Sequence, residues 1–414
     1  MFRHLFKLCS MFSILLLAAS FLSACQTSAS TPQGPLAQCT PQDAPVIKTL
    51  AASHSSPQVF YLSDHAFLYE LNAGDGALGW CEHYQEKSPS GSRFNSLTHI
   101  DDKLYIGASD NNLFILNPTN GSLLHSDLHP GGNSDLGGPM IVANGTIYEG
   151  TIYGNSNTLE AISLQIGKVS WQYSLVGAQM MSDSALADGL LYFDFSENSA
   201  APFQSHLVAL DARTGTKRWD DVWNDPLIQG DATIVQGIVL VTLSSQILAP
   251  EQVGTLQAVD AQTGKILWNN NSGYLCSPSA GSDLFYGVEG NSLDAFNIQT
   301  GSVLWSAPQV QPLECLVNHG VLYAFSHISG MNTIFAFDSQ TGHKLWQASL
   351  QNVPGVSPQI VFLRPLALVG NELFLWTMPS RPPFSLVTLH AFNIKTKKED
   401  WYTNLSSDPG TIIS

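Results

Sequence analysis

A glycine followed four residues later by a tryptophan, behind a strand-like run, recurs along almost the whole chain. Aligned on the glycine, the copies are LYELNAGDGALGW (68–80), LFILNPTNGSLLH (113–125), LEAISLQIGKVSW (159–171), LVALDARTGTKRW (207–219), LQAVDAQTGKILW (256–268), LDAFNIQTGSVLW (293–305), IFAFDSQTGHKLW (334–346) and LHAFNIKTKKEDW (389–401). The turn glycines are Gly76, Gly121, Gly167, Gly215, Gly264, Gly301 and Gly342, with Lys397 in the eighth copy. Successive copies lie 37 to 55 residues apart. Self-similarity at such a period marks a repeat architecture. A length of 414 residues alone suggests two or three domains, but the copies fill the chain from about residue 45 to 405. One ring of repeats replaces separate domains.

Each position of the motif has a mechanical reason. The residues before the turn alternate apolar and small, as in a half-buried strand. Four before the glycine stands Asn72, Asn117, Ser163, Asp211, Asp260, Asn297, Asp338 or Asn393, short polar side chains that can bond a turn backbone. Six before it, six copies have alanine, which leaves room for a neighbour. The glycine supplies a positive φ at a hairpin turn; Lys397 departs from this and implies strain or a different turn. Trp80, Trp171, Trp219, Trp268, Trp305, Trp346 and Trp401 follow, with His125 in the second copy. Seven of the nine tryptophans occupy this one position, which suits packing in a ring and not catalysis. Upstream runs such as LLYFDFS (190–196) and IVLVTLS (238–244) read as further strands, each preceded by a less regular one. The unit is four short antiparallel strands, the last bearing the tryptophan. The expected fold is all-β, an eight-bladed β-propeller of four-stranded antiparallel blades. Each tryptophan packs between its own sheet and the next.

The N-terminus reads as an export signal. Arg3, His4 and Lys7 precede an apolar run, FSILLLAASFL (12–22), too short to span a bilayer comfortably. The following LSAC (22–25) resembles the bacterial lipobox, which makes Cys25 the lipidation site and residues 1–24 the signal peptide. Residues 25–40 are Gln/Thr/Ser/Pro-rich and read as a flexible tether, and 41–414 as a single propeller. Cys39, Cys81, Cys276 and Cys315 remain after export, an even number in an oxidising compartment. Three pairings are possible. Cys39–Cys81, stapling the chain start to the first repeat, with Cys276–Cys315 is favoured over the others; four buried thiols are the alternative. The formal charge is -16, and -18 once residues 1–24 are removed. Such acidity repels phosphate backbones and argues against nucleic-acid binding.

The Ala-x-Asp-x-x-Thr-Gly pattern followed by tryptophan resembles the PQQ-type (pyrroloquinoline quinone) repeat. That resemblance covers nearly the whole mature chain. It implies the fold of quinoprotein alcohol dehydrogenases and of cofactor-free relatives, including BamB-like lipoproteins of outer-membrane protein assembly. A lipobox followed by eight repeats and little else is more similar to the BamB-like branch. The dehydrogenase branch carries adjacent cysteines at the quinone, acidic and amide ligands for Ca²⁺, and longer inserts. Here the nearest mature cysteines, Cys276 and Cys315, are 39 residues apart. There is no CxxCH, HExxH or GxSxG, and the 12 histidines are scattered without ligand spacing. Thr263-Gly264-Lys265 resembles the tail of a phosphate loop, but Val259 and Ile266 stand where Gly and Ser/Thr are needed. Asp110-Asn111-Asn112 is a good turn and lacks calcium-loop spacing. No catalytic residue and no metal site is assigned. No cofactor is expected; PQQ with calcium belongs only to the alternative enzyme reading.

Function then falls to loops. In an up-and-down blade, the second-to-third-strand loop and the loop between blades share one face. The longest such inserts are ENSAAPFQS (197–205), QILAPEQVG (246–254) and PSRPPFS (379–385). They carry Phe203, Ile247, Leu248 and Phe384, with Arg381 nearby, a composition that suits a protein interface. Loops that pack only on themselves are the plainer alternative. The chain is therefore expected to be an extracytoplasmic, lipid-anchored, monomeric and non-catalytic scaffold binding envelope proteins. The anchoring membrane is outer or cytoplasmic according to envelope type. The alternatives are a PQQ-dependent or other oxidoreductase, and a module binding a small ligand or polysaccharide in the central channel.

Overall fold

The structure is a computed structural model. It describes residues 36–413 except 41–42, 44, 50–57, 65, 85–93, 109–111, 129–134, 137–139, 154–155, 166, 177, 182–183, 198–203, 225–226, 245–253, 271–273, 279–282, 311, 329–330, 351–359, 362–366, 380–386 and 406–408. Among the described residues the regular structure is all strand. Blade 5 shows the unit. Leu227–Val235, Ile238–Ser244, Thr255–Asp260 and Ile266–Asn270 pair in chain order, each antiparallel to the next. These are strands a to d, from the centre of the ring outward. Eight such sheets form the eight-bladed β-propeller that eight copies of the motif predict.

The third strands are not half-buried, as their alternation suggested. Leu207, Val208, Ala209 and Leu210 of blade 4 are all fully buried. Leu207 and Ala209 join a cluster with blade 5, whereas Val208 and Leu210 join one with blade 3. A blade is sandwiched between two neighbours, so both faces must be apolar, as in the strands of a covered sheet. Eight apolar clusters result, one at each seam between neighbouring blades.

The ring closes with elements that the repeat does not contain. Strand a of blade 1 is the C-terminal segment Pro409–Ile413, which pairs with Val59–Asp64. Two short N-terminal strands add outside the fourth strands. Leu36–Gln38 pairs with Leu78–Tyr84 of blade 1, and Ile47–Thr49 with Lys398–Leu405 of blade 8. The docked region thus begins inside the stretch read as a tether. Throughout the ring, the a–b and c–d turns lie on one face, the turn face. The b–c loops and the connections between blades lie on the other, the loop face.

Candidate functional site

The c–d turn is built from its own side chains. In blade 5 the Asp260 carboxylate accepts from Thr263 N (2.9 Å) and Thr263 Oγ1 (2.6 Å), and Gly264 N donates to Asp260 O at 2.9 Å. Asn72, Asn117, Asp211, Asn297, Asp338 and Asn393 cap their turns in the same way. All seven glycines have φ between 60° and 75°, and Lys397 has φ 60° with its N donating to Asn393 O at 2.8 Å. The eighth turn is therefore the same turn, held in the left-handed region by a residue with a Cβ.

The tryptophans latch each blade to the next. The indole Nε1 of Trp80 donates to Pro118 O (2.8 Å), Trp171 to Ala212 O (2.9 Å), Trp219 to Ala261 O (2.8 Å), Trp268 to Ile298 O (2.9 Å) and Trp305 to Ser339 O (3.1 Å). Trp401 donates to Ala73 O at 3.0 Å and so joins blade 8 to blade 1. Each acceptor stands three residues before the turn residue of the following blade. The ring lies on that blade's glycine: a Cβ at Gly121, Gly215, Gly264, Gly301 or Gly342 would come within 2.5–3.0 Å of an indole carbon. The alanine that leaves room faces this tryptophan directly across the c–d pair, as Ala258 faces Trp268.

Two parts of the latch escape a reading of the motif alone. Tyr61, Tyr192 and Tyr286 on the second strands donate to the same acceptor carbonyls, of Pro118, Ala261 and Ser339. Their signal is the tyrosine one or two residues into the upstream run. The other part is a β-bulge. Ala258 faces Trp268 but Val259 faces Ile266, so Leu267 is an extra residue. Every blade has this bulge just before the tryptophan position. It turns the indole towards the next blade.

Cys39 and Cys81 are joined by a disulfide, with their Cα atoms 5.5 Å apart, on the outer rim of blade 1. Cys315, on strand a of blade 7, is also disulfide-bonded. Cys276 lies on strand a of blade 6, its side chain outside the described residues. Cys25 also lies outside them, as do Phe203, Ile247, Leu248, Arg381 and Phe384. The described strand ends that flank the three inserts, Glu197 and Gln204, Ser244 and Thr255, and Pro379 and Val387, lie towards the loop face.

Titratable groups gather inside blade 8. Thr377 Oγ1 lies 2.7 Å from His390 Nε2, and His390 Nδ1 lies 2.6 Å from Glu399 Oε1. Asn393 Nδ2 donates to Glu372 Oε1 (2.7 Å) and Asp400 Oδ2 (3.1 Å). Burial, with the Asp400 carboxylate nearby, pushes Glu372 up to about 8. All six side chains are buried, so they brace the ring-closing blade and offer no open face to a substrate. Among the described residues no three His, Cys, Asp or Glu side chains converge to hold a metal ion. On the turn face, a depression of about 450 Å³ between blades 4 and 5 is lined by Asp188, Leu190, Asp211, Arg213, Arg218 and Gln262. Arg218 Nη2 is held 2.6 Å from Asp211 Oδ2, so this guanidinium braces the turn.

Fold and latch together define an eight-bladed propeller of PQQ-type repeats, with the repeat residues committed to packing. The family model described as outer membrane protein assembly factor BamB matches residues 44–220 and 203–413, and the chain belongs to that family. The crystal structure of BamB from Moraxella catarrhalis is similar in fold, with a TM-score of 0.51 at 16% identity, over 90% of this chain and 98% of that one. Polyvinylalcohol dehydrogenase from a Sphingopyxis species is 27% identical over 217 residues, 47% of this chain and 31% of that protein. Quinoprotein alcohol dehydrogenase PedH from Pseudomonas putida is 25% identical over 198 residues, 42% of this chain and 31% of that protein. The match thus spans about a third of these two relatives' own length. Among the described residues no helix is long and apolar enough to cross a membrane.

Proposed function

We propose that this chain is a lipid-anchored, non-catalytic scaffold at the cell envelope, binding protein partners through its loop face. The observation that carries the reading is extent. The BamB family model matches residues 44–220 and 203–413, whereas the dehydrogenase matches take 47% and 42% of this chain. The family's description names assembly of outer membrane proteins, so the partner class is envelope protein. The packing role of the tryptophans and glycines leaves binding to the inserts, with Phe203, Ile247, Leu248, Arg381 and Phe384 as contacts. Cys25 carries the lipid, and several acyl chains on one residue give durable attachment.

Affinity capture from membranes tests this. The wild-type chain should retain envelope proteins reproducibly and partition into detergent. Cys25→Ser should yield an uncleaved or soluble precursor; unchanged detergent partitioning would refute the anchor. A second reading, a quinone-dependent oxidoreductase, is favoured by the two dehydrogenase relatives. Titrating the purified chain with PQQ and Ca²⁺ distinguishes it: a saturable change in the quinone spectrum supports the enzyme, and an unaltered spectrum supports the scaffold.

A further inference from the structure

The outermost strand of a blade has neighbours on one side only, so a row of backbone N–H and C=O groups faces outward. In two blades the chain covers this row itself. At blade 8, Ile47, Lys48 and Thr49 lie opposite Thr403, Tyr402 and Trp401, antiparallel. Thr403 Oγ1 donates to Val46 O at 3.1 Å. Ile47 comes to rest on Gly76 of the next blade, its Cγ2 3.0 Å from where a Cβ would stand. Under this cover Trp401 is fully buried, whereas Trp80, Trp171, Trp219, Trp268, Trp305 and Trp346 are only partly so. Blade 8 thus shows that the edge past the bulge accepts an extended strand; its Ile47 takes the place on Gly76 that an indole fills on Gly121, Gly215, Gly264, Gly301 and Gly342.

Among the described residues, blades 2 to 7 have no such cover. Charge on an edge strand is the usual protection against pairing with another chain. The edges of blades 2, 3, 4 and 7 have it, in Asp127, Lys168, the Lys217/Arg218/Asp220/Asp221 group and Lys344. The edge strands of blades 5 and 6, Ile266–Asn270 and Val303–Pro308, carry no charged residue within them; Lys265 stands just before the first, one past Gly264 as Lys168 is one past Gly167. Each of these two edges exposes two apolar side chains: Ile266 is 46% exposed, Leu267 43%, Val303 46% and Leu304 54%; the charged edges of blades 2, 4 and 7 also expose Leu124, Val222 and Leu345. The bulge before the tryptophan is no barrier. Blade 8 has the same bulge, and its cover strand pairs with the three residues that follow it.

We propose that the outer edges of blades 5 and 6 bind an extended polypeptide segment by strand addition, over Trp268–Asn270 and Trp305–Ala307. The occupant is a stretch of another protein not yet paired in its own fold, with branched apolar residues on alternate positions. Backbone hydrogen bonds supply affinity, and the exposed Ile266, Leu267, Val303 and Leu304 side chains favour an apolar segment. This surface is the rim of the ring, separate from the loop face, and the inference stands whether or not that face binds partners.

The test uses the purified full chain and a peptide copying residues 44–52, APVIKTLAA, with a scrambled peptide and one N-methylated at alternate residues as controls. The parent peptide should bind saturably, shift tryptophan emission to the blue and crosslink to a photoreactive residue at 267 or 304. N-methylation, which removes backbone donors without touching the protein, should weaken binding at least tenfold. Leu267→Asp with Leu304→Asp should do the same with thermal melting unchanged, and Val222→Asp on blade 4 should not. No saturable binding would overturn the proposal. So would equal binding of the N-methylated peptide, which signals adsorption to apolar surface, or crosslinking confined to blade 8 through exchange with its resident strand.

Discussion

Gly320 and Gly342 belong to one blade, and both hold left-handed backbone, φ 77° and 69°. A Cβ at Gly320 meets nothing within 4 Å, whereas at Gly342 it would lie 2.5 Å from Trp305. Gly320→Ala should therefore cost only the backbone penalty, about 1–2 kcal/mol. Gly342→Ala adds overpacking, about 1–3 kcal/mol more, and urea denaturation measures both. By the same logic Trp219→Ala and Trp268→Ala should each cost about 3–5 kcal/mol. His125→Ala should cost much less; small, equal losses at the three positions would contradict the latch. Trp219→Phe should be milder still, because Ala261 O keeps the Tyr192 hydroxyl at 3.1 Å. The tryptophan and glycine positions were legible because seven blades repeat them. The tyrosine partner and the bulge were not: one side chain in a strand says nothing of a carbonyl 57 or 69 residues away.

The elements closing the ring were the least legible. Leu36–Gln38 and Ile47–Thr49 are three residues each, too short for any periodicity, and they pair with strands fixed by distant repeats. Pro409–Ile413 follows the last motif copy and resembles none of the others, since its register is set by Val59–Asp64. Ile47→Asp should strip the cover from blade 8. Trp401 emission should shift to the red and become open to acrylamide, with the other tryptophans little changed; unaltered quenching would mean that the cover strand does not bury it. Blade 8 also holds Glu372, raised to about 8 by burial. A carboxyl raised in the folded state favours folding while protonated. Its contribution is fully present below the unfolded value near 4.5 and is lost as pH rises through about 8. Glu372→Gln should make stability less dependent on pH across that window and higher at its upper end; an unchanged pH profile of thermal melting would exclude the buried carboxyl as the cause.

For the whole molecule, eight seams each carry a cluster and, among the described residues, tryptophans bridge six of them by indole hydrogen bonds. A ring assembled in this way is a rigid platform, and insertions fall in its loops. The inserts stand out in the sequence because their lengths depart from the repeat. Their contacts do not, since a loop side chain answers to its partner and not to the periodicity of the chain. The central claim, a scaffold binding envelope proteins on the loop face, is tested most directly by crosslinking in intact cells. One variant changes Phe203, Leu248 and Phe384 to Ser; the other changes Arg213, Gln262 and Gln340 on the turn face. The loop variant should stay folded, since loop tips tolerate substitution, and should lose partner capture about tenfold or more, the effect of about 1.4 kcal/mol at the contact. The turn variant should capture partners like the wild type. Loss in the turn variant alone would contradict the assignment of the binding face, and full capture by both would contradict the loops as its seat.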